Sequence, residues 1–584
     1  MKPKVLAAVL IFSLTLMFVP MPAAVASRPA QAAQLLSVKT VSAAQSNYEK
    51  AIDLKILGLL ANKPADFELD RAPNRAEGLV MLLRLLGKES EALQGGYKHP
   101  FKDVPAWADC YVGYAYQNGI TNGKSRDAFG ANDPLTAEQY VTLVLRSIGY
   151  RDGEDFQYDK ALDKAVSLGI LSNAEAKDLK NSSEFLRNDL VAVSYNALTA
   201  KLKGSSRMLI EKLADTDRTV FKPAAVLLGL YPPDFEKRYG NVLSFSPRRT
   251  NYGYVTRNAD DLARIITKSL VSHTTSFELD ITGYSGDITE EFKPAINTAL
   301  DAATVISGVE NFVESWKYEC NSHTMKVTLT YRETADEFAL SRSKVKAALN
   351  KARYIVAERI SRDMTDFEKE KVLHDYLVNN TLYDYVNYKR NSVPEDSFNE
   401  YGCLVLGKAV CSGYSKAMKL LCDLAGIECM IATGWSTDSS REGHSWNIVK
   451  IDGEYYHLDV TNDDSVTDDG TEVLTYTYFN LTDKEMKKFY SWDTSLFPKC
   501  TATRNNYYRK YGLVADSSEA MKRVLAGAIK KRSTVIEIKV SDYSRYNYSD
   551  LRELIIKSRA IMRYMYTVNT ELGIIKLLDI EYFE

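Results

Sequence analysis

Histidine and cysteine are scarce in this chain, six and seven in 584 residues, and no two cysteines stand in a Cys-x-x-Cys spacing. A zinc site is thus left without its usual ligand pattern, and seven scattered thiols are too few for a disulfide scaffold. So sparse a set suits a bacterial exterior better than an animal secretory pathway, and it leaves a thiol free for chemistry. No charge dominates: 74 basic against 76 acidic residues give a net charge of −2, which argues against nucleic acid or an anionic membrane as the main partner. Long apolar runs are missing except for Val5 to Val19, about fifteen residues and short for a membrane span. Lys2 and Lys4 precede it, and the small-residue cleavage sites Ala24-Val25-Ala26 and Ala30-Gln31-Ala32 follow. The expectation is a signal peptide over 1–26, with the mature chain exported, at net charge −4 and without a transmembrane segment.

A length of 584 residues calls for several domains. The chemistry concentrates near residue 411. Tyr414, Met418, Leu421, Cys422 and Ala425 recur at steps of three and four, with Gly426 just beyond, which predicts an amphipathic helix with Cys411 in or beside its first turn. A cysteine attacks as thiolate, and a helix N-terminus with its unpaired amides favours an anion. Further on, Gly443 to Ile451 and Glu454 to Thr461 are apolar, partly alternating runs joined by Asp452-Gly453, a strong hairpin signal. With a two-residue turn, Trp446 faces Asp459 and His444 faces Thr461. His444 and Asp459 then lie on one face as diagonal neighbours, so that the carboxylate can hold the imidazole in one tautomer. A three-residue turn would destroy that parity.

The blocks from Tyr401 to Tyr414, Gly443-His444-Ser445-Trp446-Asn447 and Tyr456-His457-Leu458-Asp459-Val460-Thr461 together resemble the core of the bacterial transglutaminase-like superfamily, over roughly Met364 to Thr482. His374-Asp375-Tyr376-Leu377 and Tyr383-Asp384-Tyr385 resemble the helix and loop that lead into such domains. The resemblance implies a papain-like α+β fold, with Cys411 as nucleophile, His444 as general base and Asp459 as its orienting partner; no cofactor is expected. The backbone amide of Cys411 is one expected oxyanion donor, and Tyr383 and Tyr385 are candidates for the second. Cys403, Cys422 and Cys429 read as core, His457 as a satisfied strand histidine and His374 as a helix residue packed under the site. Asp463-Asp464 and Asp468-Asp469-Gly470 read as solvated loop, since their spacing does not fit an EF-hand.

From about Ser46 to Leu202 the chain reads as three helical repeats. The middle one carries Phe101-Lys102-Asp103-Val104-Pro105, Trp107-Ala108, Gly119-Ile120-Thr121-Asn122-Gly123, Phe129 and Pro134-Leu135-Thr136-Ala137-Glu138. It resembles an S-layer homology repeat, a module that attaches exported bacterial proteins to cell-wall polysaccharide. The flanking copies keep Leu57-Gly58-Leu59 with Asn74-Arg75-Ala76-Glu77, and Leu168-Gly169-Ile170 with Leu186-Arg187-Asn188-Asp189. The resemblance implies that a basic residue opening the last helix helps to hold an acidic glycan. Arg75 and Arg187 match it and Trp107 joins them as a glycan candidate, whereas the middle repeat has no arginine there.

Pro223, Pro232-Pro233 and Pro247 punctuate a linker-like passage over 203–254. Beyond it, a helix and strand at Asn258 to Leu270 and Ser276 to Thr282 recur as Ser517 to Ile529 and Thr534 to Val540, an offset of about 258 residues. Each unit continues into a second helix and a strand, Met325 to Tyr331 or Ile574 to Tyr582, which suggests a duplication without establishing one. Many of the 37 tyrosines fall in these flanks, where buried strand positions account for them as well as a binding surface would.

The expected layout is multidomain: signal peptide 1–26, an all-α repeat module 46–202, a linker 203–254, an α+β flanking domain 255–345, the α+β papain-like core 346–490 and a C-terminal α+β domain 510–584. The expected function is that of a secreted protein, associated with cell wall or S-layer, which acts on protein or peptide amides through a Cys-His-Asp triad and a thioester. The alternatives are a wall-bound peptide- or glycan-binding protein without turnover, and a cysteine peptidase. No metal is expected.

Overall fold

Asparagine 74, threonine 136 and leucine 186 each precede a helix of the N-terminal module: Arg75–Leu85, Ala137–Ser147 and Arg187–Ala197. Asn74 and Thr136 cap theirs reciprocally, accepting from the backbone N–H of Glu77 and Gln139 while those side chains accept from the cap's own N–H. The basic residue of the first and third repeats therefore stands at the first helical position, and Ala137 stands there in the middle one. A computed structural model describes residues 46–242, 244–466 and 472–583 of the chain, so the expected signal peptide and Asp468-Asp469-Gly470 lie outside the described residues. Among the described residues no helix is long and apolar enough to cross a membrane.

The stretch expected to be a linker is part of the helical body instead. Leu209, Ile210, Leu213, Val220, Ala224, Ala225, Leu230 and Tyr231 are buried in the same core as Leu54, Tyr140, Val144 and Val193 of the repeats. Pro223 occupies the first turn of the helix Lys222–Leu227, where a missing N–H costs nothing, so this proline starts structure rather than interrupting it. Arg249–Thr250 and Gly253–Val255, at the end of the same stretch, already belong to the sheet of the next domain.

The two flanking units share one topology. In the first, Gly253–Val255 runs parallel to Ser276–Asp280 with the helix Ala259–Val271 between them, and Ser276–Asp280 pairs antiparallel with Thr324–Tyr331, which pairs in turn with Val313–Cys320. The C-terminal unit repeats this order with Val514–Ala515, Ile536–Val540, Ile574–Tyr582 and Ile561–Asn569. The sequence reading missed the outermost strands, Val313–Cys320 and Ile561–Asn569. As edges they expose most of their side chains and lack a clear apolar face.

Between the flanks lies a four-stranded antiparallel sheet in the spatial order Glu454–Leu458, Gly443–Ile451, Cys429–Ser436, Tyr490–Ser491. The helix Cys411–Ala425 packs on it through Tyr414, Ala417, Met418, Leu421 and Cys422, all fully buried. The hairpin turn is Asp452-Gly453, both at positive φ (51° and 86°), the geometry that matches the twist of the flanking strands. The helix Ala335–Arg359 runs from the first flank into this core and meets the repeat module: Arg353 is 2.6 Å from Asp53, and both side chains are buried.

Candidate active site

Cys411 is the first residue of its helix, after an N-cap, Val410, that offers no side-chain oxygen to the first-turn amides. Those amides and the helix dipole therefore face the thiol. Cys411 is partly exposed, whereas Cys403, Cys422 and Cys429 are buried.

The hairpin register runs from Glu454 opposite Ile451 to Leu458 opposite Asn447, the two-residue-turn register. Carried one step further, it sets Asp459 against Trp446 and on the same face as His444, whose Nε2 donates to Asp459 Oδ2 at 2.7 Å. Cys411 is close enough to His444 for its charge to act on the imidazole. Burial is the largest single effect and opposes the imidazolium, but Asp459 and Cys411 together outweigh it, pushing His444 up to about 10. Asp459 is held in turn: it caps the short helix Val460–Asp463 and accepts from the Asn462 backbone N–H at 3.2 Å and from Asn462 Nδ2 at 2.7 Å.

Two positioning groups, Asn462 and Tyr490, escaped the sequence reading. Asn462 Nδ2 also donates to the Tyr490 hydroxyl at 2.9 Å, and the Tyr490 ring stacks on His444 with centroids 4.5 Å apart. Trp446 stacks on His444 from 6.0 Å, and its Nε1 donates to Nδ1 of His457, which is fully buried. The spacing of Asp459 and Asn462 is that of a helix N-cap and was readable; Tyr490, thirty residues downstream, had no local signal.

Tyr383 is half-buried on the short pair Leu382–Tyr383 and Lys408–Ala409, just ahead of Cys411. Burial, then the charges of Cys411, Tyr388, Glu442 and Asp459, raise its hydroxyl well above the ordinary value, which keeps it a donor. Tyr385 is 58% exposed, with the Lys389 ammonium 5.1 Å from its ring centre. Tyr388, which the sequence reading passed over, feels the charge of Cys411 and donates to Glu442 at 2.6 Å, a bond that is the main cause of its rise to about 12.

His457 Nε2, Asp483 and Cys500 bring three ligand-type atoms within 4.8 Å of one another. Their chemistry does not fit a metal. Trp446 Nε1 is a donor only, so Nδ1 of His457 keeps its lone pair, and the neutral ring carries its proton on Nε2, where it reaches Asp483 at 2.8 Å. Burial, then the charge of Asp483, pushes the Cys500 thiol up, away from the thiolate a metal would need.

Beneath the site, His374 is fully buried between Asp375 (3.1 Å) and Asp463 (3.2 Å). Burial lowers its proton affinity, but the two carboxylates more than reverse this and push it up to about 9. Asp463, expected in a solvated loop, is fully buried and also accepts from Thr475 and from the Tyr478 backbone N–H. It ends the helical turn that Asp459 begins.

The glycan candidates fall into two separate cavities. Arg75 lines one of about 810 Å³ with Gly119, Asn122, Gly123 and Arg146. Its guanidinium lies over Phe129 at 5.3 Å and donates to the Phe129 carbonyl; no carboxylate pairs with it among the described residues. Trp107, 51% exposed, and Arg187 share the other, about 310 Å³, with Glu77 and Arg84. Arg187 is already committed there, 3.3 Å from Glu77 and donating to the Phe67 carbonyl at 2.9 Å.

Residues 354–460 match the family model of the Transglutaminase-like superfamily, and residues 100–140 that of the S-layer homology domain. The chain thus carries a transglutaminase-like domain and an S-layer homology domain, on a mixed framework of helices and sheets. A cell surface protein of Thermoanaerobacter kivui is 32% identical over 135 residues, 23% of this chain and 17% of that protein. The kyphoscoliosis peptidase of Homo sapiens is 26% identical over 164 residues, 26% of this chain and 24% of its own length. The chain spans about a quarter or less of the length of these curated relatives. A solved structure of a TGase is 13% identical, with 33% of this chain and 52% of that one covered and a TM-score of 0.18.

Proposed function

We propose that this chain is an exported, wall-attached cysteine enzyme that opens amide bonds of a protein or peptide through a thioester. The observation that carries the reading is a juxtaposition of three elements: Cys411 at a helix N-terminus, close enough for its charge to act on His444, and His444 bonded to Asp459 at 2.7 Å. In the proposed reaction the sulfur of Cys411 bonds to the amide carbonyl carbon. The oxygen, now an anion, meets the Cys411 backbone N–H and the Tyr383 hydroxyl. The C–N bond then breaks, and the amine leaves with the proton that His444 supplies. Water or a second amine attacks the thioester, giving its proton to His444 and releasing the thiolate; water yields hydrolysis and an amine yields cross-linking.

Attachment to cell-wall polysaccharide is proposed on the S-layer homology match and on Arg75, a guanidinium in an open cavity with no carboxylate partner among the described residues. The competing reading is a wall-bound binding protein without turnover. Incubating the full chain and its Cys411→Ala variant with a glutamine-bearing protein and a fluorescent primary amine distinguishes the readings. Cys411-dependent amine incorporation, ammonia release or new peptide ends, with an acyl adduct on Cys411 by mass spectrometry, supports the enzyme. The absence of product and adduct alike favours the binding protein.

A further inference from the structure

Several large apolar side chains of the transglutaminase-like domain are exposed to solvent. Leu382, Tyr385, Val386 and Phe398 lie on the chain leading into the Cys411 helix, and Trp435, 62% exposed, lies near the end of the strand paired with that of His444. The position of Trp435 follows from the sheet. Ser445 and Asn447 face the helix, since Ser445 Oγ is 2.7 Å from Ser415 Oγ and Asn447 Nδ2 donates to the Ser415 carbonyl at 2.9 Å. Alternation puts Gly443 on that same face, and Trp435 is its direct partner. Trp435 thus stands one step beyond the last helix contact, towards the turn that begins with Cys411.

Gly443 adds to this opening. A Cβ there would meet only the Trp435 ring, at 3.6 Å, and His444, the next residue, faces the other side of the sheet. Tyr383 and Tyr388 are close enough to feel the charge of Cys411, and the bond from Tyr388 to Glu442 joins the leading segment to the residue before Gly443. Aromatic side chains thus stand on the elements that neighbour the N-terminal end of the Cys411 helix. A sugar would need free polar partners for its hydroxyls. Here Tyr388 and Glu442 are bonded to each other, and Ser412 Oγ is given to the Phe398 carbonyl.

We propose that Trp435 walls the acyl-donor subsite, and that the donor is an extended polypeptide segment with an aromatic or large aliphatic residue beside the reacting amide. The proposal rests on the reading of Cys411 as the nucleophile. It is tested on the full chain with two chloromethyl ketones, one built on Phe-Ala and one on Gly-Gly, by measuring the alkylation rate of Cys411 in wild type, Trp435→Ala and Trp435→Phe. Iodoacetamide, too small to fill the subsite, is run alongside. The expected result is a preference of about ten-fold for the Phe-Ala reagent, largely lost in Trp435→Ala, largely kept in Trp435→Phe, with the iodoacetamide rate the same in all three. Equal rates for the two ketones, or a preference that survives Trp435→Ala while iodoacetamide still selects Cys411, would overturn the subsite and leave the thiol reading standing. If iodoacetamide reacts with Cys411 no faster than with Cys403, the thiol reading fails and takes the subsite with it.

Discussion

Tyr490 lies nearly flat on His444, with ring centroids 4.5 Å apart and planes 17° from parallel, and its hydroxyl shares Asn462 with the carboxylate that binds the same imidazole. One tyrosine thus fixes both the plane of the base and the asparagine that orients its partner. Tyr490→Phe keeps the stacking and loses one hydrogen bond, worth about 1 kcal/mol, so a drop of about five-fold in the reactivity of Cys411 is expected. Tyr490→Ala, which also frees the ring face, is expected to lose several times more. Rates of Cys411 alkylation in the two variants check the order; equal losses would show that stacking does not matter.

The buried His374 predicts a pH dependence of stability. Its value is 6.5 in an unfolded chain and about 9 here, so the folded state holds the proton more tightly. The stabilisation is complete below pH 6.5 and is lost as pH rises through about 9. Glu370, which burial pushes up to about 8, acts in the same direction between its ordinary 4.5 and that value. His374→Gln removes the histidine's share, on the order of a few kcal/mol. Thermal midpoints at pH 6 and pH 9 are expected to fall further apart in the wild type than in the variant. An undiminished gap in His374→Gln would contradict the assignment.

The two wall-module arginines separate by their partners. Arg75→Ala is expected to weaken binding to isolated cell-wall polysaccharide with little change in the thermal midpoint, because no carboxylate is left behind. Arg187→Ala leaves Glu77, which Arg71 still holds at 2.6 Å, short of a buried partner and is expected to cost about 1–3 kcal/mol of stability. Sedimentation with purified cell walls and a melting curve for each variant test the split; the reverse assignment would exchange the roles of the two cavities.

The geometry around His444 and Asp459 was legible because it depends on local rules. A two-residue Asp-Gly turn sets the register, the period of two sets the face, and the step of three and four sets the helix that begins at Cys411. What surrounds that geometry was not legible. Asp463 reads as solvated until it meets His374, 89 residues away, and Tyr490 reaches His444 from another strand. The prolines of 203–254 suggested a linker, yet the apolar residues between them complete the core of the repeats. In each case the deciding partner is distant in sequence, and no local pattern records it.

The most direct test of the central claim is iodoacetamide labelling of the folded chain across pH, read by peptide mass spectrometry, with His444→Ala in parallel. The account predicts that Cys411 labels selectively and that the advantage over Cys403, Cys422 and Cys429 disappears in the variant. A Cys411 that reacts no faster than those buried thiols, or one indifferent to the loss of His444, would contradict it.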